Sequence, residues 1–319
     1  MASFEPLFRH PHLQTIASHY WPRPRSAERF PVTRRLVPTE PGIQVLLQSQ
    51  QPAGEARGEI VMVHGLEGSG EAGYIESLAG AALDGGFAAH RFHMRTCGGT
   101  EPYANTLYHA GLTSDLAVVL RMLRAENRVP IFVVGFSLGG NVVLKLAGEL
   151  GESAVGLIGA VCAVSTPLDL AACSCRIDAP ENFLYQYRFV RRMRARLCAS
   201  GRYQPADFAG LRSVRAIDDR ITAPSFGFGN AANYYRTQSA LGFLAAIRVP
   251  TLLIQSKDDP LVPYAIFERL PANPAIELLA TPHGGHLGFL GQHPHRFWLD
   301  DAVMGWIRGA ATFRTSPSA

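Results

Sequence analysis

At 319 residues, 47% of them hydrophobic, the chain can bury a sizeable core and has no linker-like stretch, which predicts a single domain over residues 1–319. Thirty basic against 26 acidic side chains leave a net charge of +4, too mild for a dedicated nucleic-acid binder. Its longest apolar runs are strand-sized, short of the roughly 18 residues that a membrane-spanning helix needs.

The start, from Met1 to His10, carries neither a basic region nor an apolar one, so no secretory signal is expected and the predicted location is cytoplasmic. A hairpin is expected near Phe30–Val37 and Ile43–Gln48, with Pro41-Gly42 as its turn. Strands are then predicted at Ile60–Val63, Phe87–Phe92, Ile131–Val134, Ile158–Val164, Thr251–Gln255 and Ile276–Leu279. Helical spacing marks Tyr74–Leu83, Leu112–Glu126, Asn141–Leu150, Tyr264–Arg269 and Phe297–Arg308. Such alternation predicts an α/β fold, a mostly parallel sheet of about eight strands with helices on both faces.

The rhythm breaks between Pro167 and Ile247, where roughly 80 residues separate two strands, too many for a simple connection. Residues 167–247 are therefore expected to form a helical lid. Phe183, Tyr187, Val190 and Leu197 fall at helical spacing there, with Arg188, Arg191, Arg192, Arg194 and Arg196 between them. This reads as a cap helix with a solvated basic face; the alternative is a face for anionic head groups, hence peripheral membrane contact. The five cysteines, Cys97, Cys162, Cys173, Cys175 and Cys198, are odd in number and irregularly spaced, as suits reduced thiols. No second pair follows Cys173-Ser174-Cys175 at zinc-site spacing, so no metal is expected. A frayed tail is expected over Thr315–Ala319.

The chemistry centres on Gly135-Phe136-Ser137-Leu138-Gly139, between an apolar strand and a helical stretch, the pattern of an α/β-hydrolase nucleophile elbow. There the strand and helix nearly touch at a sharp turn, so only small residues fit two positions either side of the serine. A serine hydroxyl needs a base and a group to orient that base. In this fold both follow the serine, acid first and histidine second. Ser256-Lys257-Asp258-Asp259-Pro260 follows a late strand; Asp259, four residues before Pro263 of a Val-Pro pair, is the predicted acid, with Asp258 bracing the loop. Pro282-His283-Gly284-Gly285-His286 follows the last strand, and His286 is the predicted base, with His283 holding the loop. His283, His286, His293 and His295 have no carboxylate among them, so a metal site is not expected there either. The predicted oxyanion donors are the backbone N–H groups of Leu138 and of Leu66, in the glycine-rich loop His64–Gly70. His64 is expected to brace that loop.

Further segments resemble the YheT-like branch of α/β hydrolases, which includes bacterial hydrolases, plant embryogenesis-associated proteins and vertebrate lid-bearing phospholipase relatives. His10-Pro11-His12-Leu13-Gln14-Thr15-Ile16 is similar to the N-terminal signature, His64-Gly65-Leu66-Glu67-Gly68-Ser69 to the oxyanion loop, and Arg95-Thr96-Cys97-Gly98-Gly99 to the following turn. Gly135–Asn141, Lys257–Pro260 and His283–Phe289 resemble the nucleophile, acid and histidine segments; Ser213–Ala223 and Tyr234-Tyr235-Arg236 resemble lid pieces. The likeness runs from His10 to about Trp298 and implies a carboxylic-ester hydrolase without cofactor, its triad on Ser137, Asp259 and His286. The substrates it implies are short- and medium-chain acyl esters, acylglycerols or phospholipids. Thr96 departs from the usual Arg-Gly-Cys-Gly-Gly, in a supporting turn.

The expected function is thus ester cleavage through an acyl-enzyme on Ser137, on a small-molecule or lipid ester. Phe183, Tyr185, Tyr187, Phe226, Phe228, Tyr234 and Tyr235 are candidates for lining an apolar acyl channel. A thioesterase or amidase would use the same residues, a perhydrolase would add a carboxylic acid in the pocket, and a binding protein on this fold would show a broken triad.

Overall fold

The computed structural model describes residues 3–24 and 26–315, with side chains as far as Ala311; of the tail expected at 315–319, residues 316–319 lie outside the described residues. Eight strands form one sheet: β1 (Thr33–Glu40), β2 (Ile43–Gln50), β3 (Glu59–Val63), β4 (Ala88–Phe92), β5 (Ile131–Phe136), β6 (Ala160–Val164), β7 (Thr251–Ser256) and β8 (Ile276–Thr281). Their order is β1-β2-β4-β3-β5-β6-β7-β8. β1 and β2 form the expected hairpin, turning at Gly42 with φ +74°, and β2 pairs antiparallel with β4. All later pairings are parallel. The sheet is thus eight-stranded and mostly parallel, as its apolar runs predicted.

Parallel strands need crossovers, and these are helical. The helices are α1 (Pro11–Tyr20), α2 (Gly73–Asp84), α3 (Ser114–Glu126), α4 (Leu138–Leu150), α5 (Leu170–Ile177), α6 (Phe183–Ala199), α7 (Val214–Ile217), α8 (Ala223–Ser225), α9 (Ala231–Gln238) and α10 (Trp298–Thr315). Side chains alternate faces along a strand, so each strand feeds two cores. Val61, Val63, Val133, Val161 and Leu253 meet α3 and α4 on one face. Ile60, Met62, Phe132, Val134, Leu252 and Ile254 meet α2 and α10 on the other. This two-sided burial is why the central strands read as continuous apolar runs.

Several predicted boundaries shift for local reasons. The sixth strand starts at Ala160 rather than Ile158, because the Ile158 N–H closes a turn onto the Ala154 carbonyl. The helix expected from Asn141 starts three residues earlier, directly after Ser137. Tyr264–Arg269 is a 3₁₀ segment, not an α-helix; six residues between Pro263 and Leu270 are too few to propagate α-helical hydrogen bonding. Helix α1 went unpredicted. Pro11 opens it at the first position, where no N–H is needed, but its contacts are mostly polar, as set out below.

The segment between β6 and β7 holds α5 to α9. Asp169, Ser213 and Asn230 cap α5, α7 and α9, each accepting a backbone N–H three residues on. A π-helical turn, Asp218–Thr222, joins α7 to α8. The chain winds from β3 to β4 on one side and returns to β5 on the other, so a crevice opens at the carboxyl ends of β3 and β5. Ligands of open α/β sheets bind at such a switch point.

Candidate active site

Ser137 stands at that crevice, between β5 and α4, with φ +51°. A non-glycine residue there is strained and persists only where its surroundings hold it. The Ser137 N–H donates to the Val164 carbonyl at 2.8 Å, and its carbonyl accepts from Gly140 N–H at 2.8 Å. Gly135 and Gly139 pack where no side chain fits. A Cβ on the first would strike the Gly139 carbonyl oxygen, and one on the second the Val63 carbonyl oxygen.

His286 reaches Ser137 from the loop after β8, with Nε2 2.9 Å from the serine Oγ. Its Nδ1 faces the Asp259 carboxylate at 2.9 and 3.2 Å. Asp259 is fixed in turn by the N–H groups of Leu261 (2.8 Å) and Val262 (3.0 Å) and by Gln255 Nε2 (3.2 Å). Ser137, His286 and Asp259 therefore form one hydrogen-bonded chain. Asp258 faces elsewhere, accepting from the Gly285 N–H at 2.9 Å and meeting His283 Nδ1 at 3.1 Å. The unpredicted helix α1 pins the same loop. Thr15 Oγ1 accepts the His286 N–H at 2.9 Å, Gln14 Nε2 donates to the Leu290 carbonyl at 2.7 Å, and Ser18 Oγ to the Leu287 carbonyl at 3.2 Å. These polar side chains carry no periodic signal, and the N-terminal family signature marks only Gln14 and Thr15.

Leu66 and Leu138 both line the pocket beside Ser137 and His286. On either side of the Leu66 amide the loop is tied down. Gly65 N–H donates to Tyr74 OH at 3.1 Å, and Glu67 N–H to Tyr108 OH at 3.0 Å. Glu67 has φ +53°. Beneath it, His64 Nε2 accepts the Met94 N–H at 3.1 Å, which leaves Nδ1 to donate to the Gly65 carbonyl at 2.8 Å. The bond accepted at Nε2 needs a neutral ring.

The basic helix α6 differs from its expected role. Val190, Met193 and Leu197 are buried, whereas Phe183 and Tyr187 are exposed, so the apolar stripe is about two turns shorter than spacing suggested. Arg194 and Arg196 are not on a solvated face. Arg194 donates to the carbonyls of Phe208 and Leu211. The Arg196 side chain, 9% exposed, places Nε 2.9 Å from both Glu67 carboxylate oxygens. Its Nη1 donates to Thr96 Oγ1 at 2.8 Å, and the guanidinium lies over the Tyr108 ring at 4.6 Å.

Two cavities meet at Ser137, Leu66, Leu261 and His286. The inner one, about 80 Å³, runs between Leu170, Ile177, Phe189 and Met193 toward Asp218 and Tyr235. The outer one, about 750 Å³, lies between α1 and α6. Tyr234 and Tyr235 line the inner cavity, Tyr185 and Tyr187 the outer. Phe183, Phe226 and Phe228 line neither. Phe226 and Phe228 instead pack edge-on against His109, at 4.5 and 5.2 Å.

Burial makes this region acid-sensitive. It lowers the His64 pKa to about 4 and those of His93 and His109 to about 3. Unfolded histidines titrate near 6.5, so below that pH the unfolded chain binds protons that the fold refuses. Stability from the three neutral rings is complete above about pH 6.5 and is lost as pH falls toward their folded values. Asp218 and Asp300, raised to about 6 by burial, work the other way. Their protonated forms favour the fold below about pH 6, and that gain is complete near the unfolded value of about 4. Three groups against two leave a net loss, so the melting temperature is expected to fall from about pH 7 to about pH 5. A melting temperature that holds or rises over this range contradicts the burial of the three rings.

The chain belongs to the α/β hydrolase fold family, whose pattern matches residues 59–292. Within it the chain falls in the YheT-like branch: it is 34% identical to the candidate esterase YheT of Escherichia coli, over 96% of this chain and 93% of that one. A monoacylglycerol lipase of Saccharomyces cerevisiae is 27% identical over 80% of this chain, which spans 60% of the lipase. Among solved structures, the Pyrococcus furiosus esterase Pf2001 superposes with a TM-score of 0.61 over 90% of this chain and 99% of its own, at 18% identity, a likeness of fold.

Proposed function

We propose that the protein is a serine hydrolase of carboxylic esters, working through an acyl-enzyme on Ser137. The observation that carries this reading is the hydrogen-bonded chain from Ser137 Oγ through His286 to Asp259, at the foot of two open cavities. His286 Nε2 takes the serine proton as Oγ attacks the ester carbonyl. Asp259 holds the ring so that Nε2 faces the serine, and it offsets the imidazolium charge that forms. The N–H groups of Leu66 and Leu138 receive the oxyanion, and Leu138 adds the partial positive charge of the α4 N-terminus. His286 then protonates the leaving alcohol. Water then attacks the acyl carbon and gives a proton to the same nitrogen; collapse breaks the Oγ–acyl bond, returns that proton to Oγ and releases the acid.

Residues 167–247 act as the lid. They contribute the walls of both cavities, and Arg196 ties them to the oxyanion loop. The narrow inner cavity takes the acyl chain, and the wide outer one takes the alcohol. Ester hydrolysis agrees with the names of relatives, an esterase and a monoacylglycerol lipase.

Hydrolysis of p-nitrophenyl esters from acetate to palmitate, with fluorophosphonate labelling in parallel, tests the reading. Activity is expected to peak among the short- to medium-chain esters and to fall steeply toward palmitate, because the inner cavity offers only about 80 Å³. Each methylene that must stay outside forfeits about 0.8 kcal/mol of burial. An enzyme that labels but prefers palmitate retains the mechanism and loses the pocket assignment. A protein that neither labels nor cleaves any ester refutes the reading.

A further inference from the structure

Of the nine large apolar side chains exposed among the described residues, six stand on two helices. Leu13, Ile16 and Tyr20 lie on α1, at 55%, 40% and 70% exposure, and Phe183, Leu184 and Tyr187 on α6, at 65%, 66% and 59%. The two helices touch. His12 Nδ1 meets Tyr185 OH at 3.2 Å, and Arg188 Nη2 meets His19 Nε2 at 2.7 Å. Between them opens the outer cavity, which reaches Ser137. Spacing of i, i+3 and i+7 on α1 and of i and i+4 on α6 sets these residues in rows along the cavity's rim.

Charge singles out one occupant for that rim. Arg188, Arg191 and Arg192 line the same opening, and among the described residues none of them has a carboxylate within ion-pair distance. Some surface arginines elsewhere, Arg29, Arg34, Arg35, Arg176 and Arg248, meet carboxylates and others do not; the rim is set apart by gathering three cations beside the exposed apolar side chains at one opening. A second copy of the chain is a poor partner, since a twofold interface sets a patch against itself and would oppose these arginines to their own mates. Apolar side chains flanked by unpaired arginines match instead the boundary between acyl chains and anionic head groups.

We propose that the rim formed by α1 and α6 docks the protein on an anionic lipid surface, with the outer cavity opening toward the bilayer. Leu13, Tyr20, Phe183 and Leu184 enter the boundary layer, and Arg188, Arg191 and Arg192 sit at the level of the phosphates. Docking concerns a surface and does not depend on the reaction assigned to Ser137, so the two readings can fail separately.

The test is cosedimentation of the full chain with phosphatidylcholine vesicles, with and without phosphatidylglycerol. Each arginine near an anionic surface contributes roughly fivefold in partitioning. The anionic vesicles are therefore expected to bind roughly a hundredfold more strongly, with most of the gain lost in high salt. Arg191→Glu with Arg192→Glu should remove at least about 20-fold. Leu13→Asp, which lies outside both cavities, should weaken sedimentation while leaving melting temperature and hydrolysis of a dissolved acetate ester unchanged. Ser137→Ala should sediment like the wild type. Failure of the wild type to bind anionic vesicles, or equal binding to neutral ones, overturns the proposal. So does a dimer in solution that Leu13→Asp dissociates.

Discussion

Replacing Ser137 with alanine is expected to lower kcat on a p-nitrophenyl butyrate substrate by about 10⁵–10⁶-fold and to abolish fluorophosphonate labelling, with no loss of fold. The size follows from the geometry. Among the described residues His286 Nε2 bonds no second hydroxyl, so without Oγ the reaction falls back on oxyanion stabilisation and binding alone. Asp259→Asn should cost about 10⁴-fold, since an amide facing Nδ1 favours the tautomer that turns a protonated Nε2 toward the serine. Asp258→Asn serves as the control. Its carboxylate meets His283 and the Gly285 N–H and touches neither Ser137 nor His286, so its effect should stay within about tenfold. If Asp258→Asn cost more than Asp259→Asn, the roles of the two neighbouring aspartates would have to be exchanged.

Arg196→Ala is expected to produce the second large effect, on stability and turnover together. Glu67 is buried next to Leu66, and Arg196 is its only cationic partner among the described residues. Removing one member of a buried pair leaves the other charge stranded and typically costs about 3–5 kcal/mol. The cost falls at a sensitive place, because Glu67 sits one residue from the amide assigned to the oxyanion. In the fraction that still folds at low temperature, kcat should drop by about 10–100-fold with KM little changed, the mark of an interaction made in the transition state. The double variant Arg196→Met with Glu67→Gln should recover most of the stability, since replacing both charges removes the desolvation cost along with the attraction. Thr96→Gly supplies a contrast. Thr96 accepts from Arg196 yet holds φ +57°, so relief of backbone strain should offset the lost bond to within about 1 kcal/mol. Chemical denaturation with steady-state kinetics on all three variants checks the set. An Arg196→Ala protein as stable and active as the wild type would remove α6 from any role in holding the oxyanion loop.

Much of the architecture was legible in one dimension because its causes are local. Buried parallel strands read as apolar runs, and the crossover helices show apolar spacing on one face. The elbow is legible for the same reason: a strand, a tight turn and a helix consume consecutive residues, and the clash that excludes side chains at Gly135 and Gly139 arises within a few positions and the adjoining strand. Chain order and loop position then singled out Asp259 and His286 as the residues to examine, and the geometry sets His286 in hydrogen-bond reach of Ser137 and Asp259 in reach of His286.

Tertiary structure decided whatever depends on partners distant in sequence. Arg196 read as one of five solvated arginines, because its spacing on α6 cannot reveal a carboxylate 129 positions away. Phe183 and Tyr187 share a helical face with Val190, yet the core stops beneath Val190 and leaves them in the open. Helix α1 turns its apolar spacing, Leu13, Ile16 and Tyr20, outward and docks through Gln14, Thr15 and Ser18, whose hydrogen bonds run to a loop some 270 residues on. Local sequence thus determined the backbone and the order of its elements. Which charges are buried, which aromatics face a cavity and which helix steadies His286 were settled only by packing, since a polar side chain acquires its role from the partner the fold brings to it.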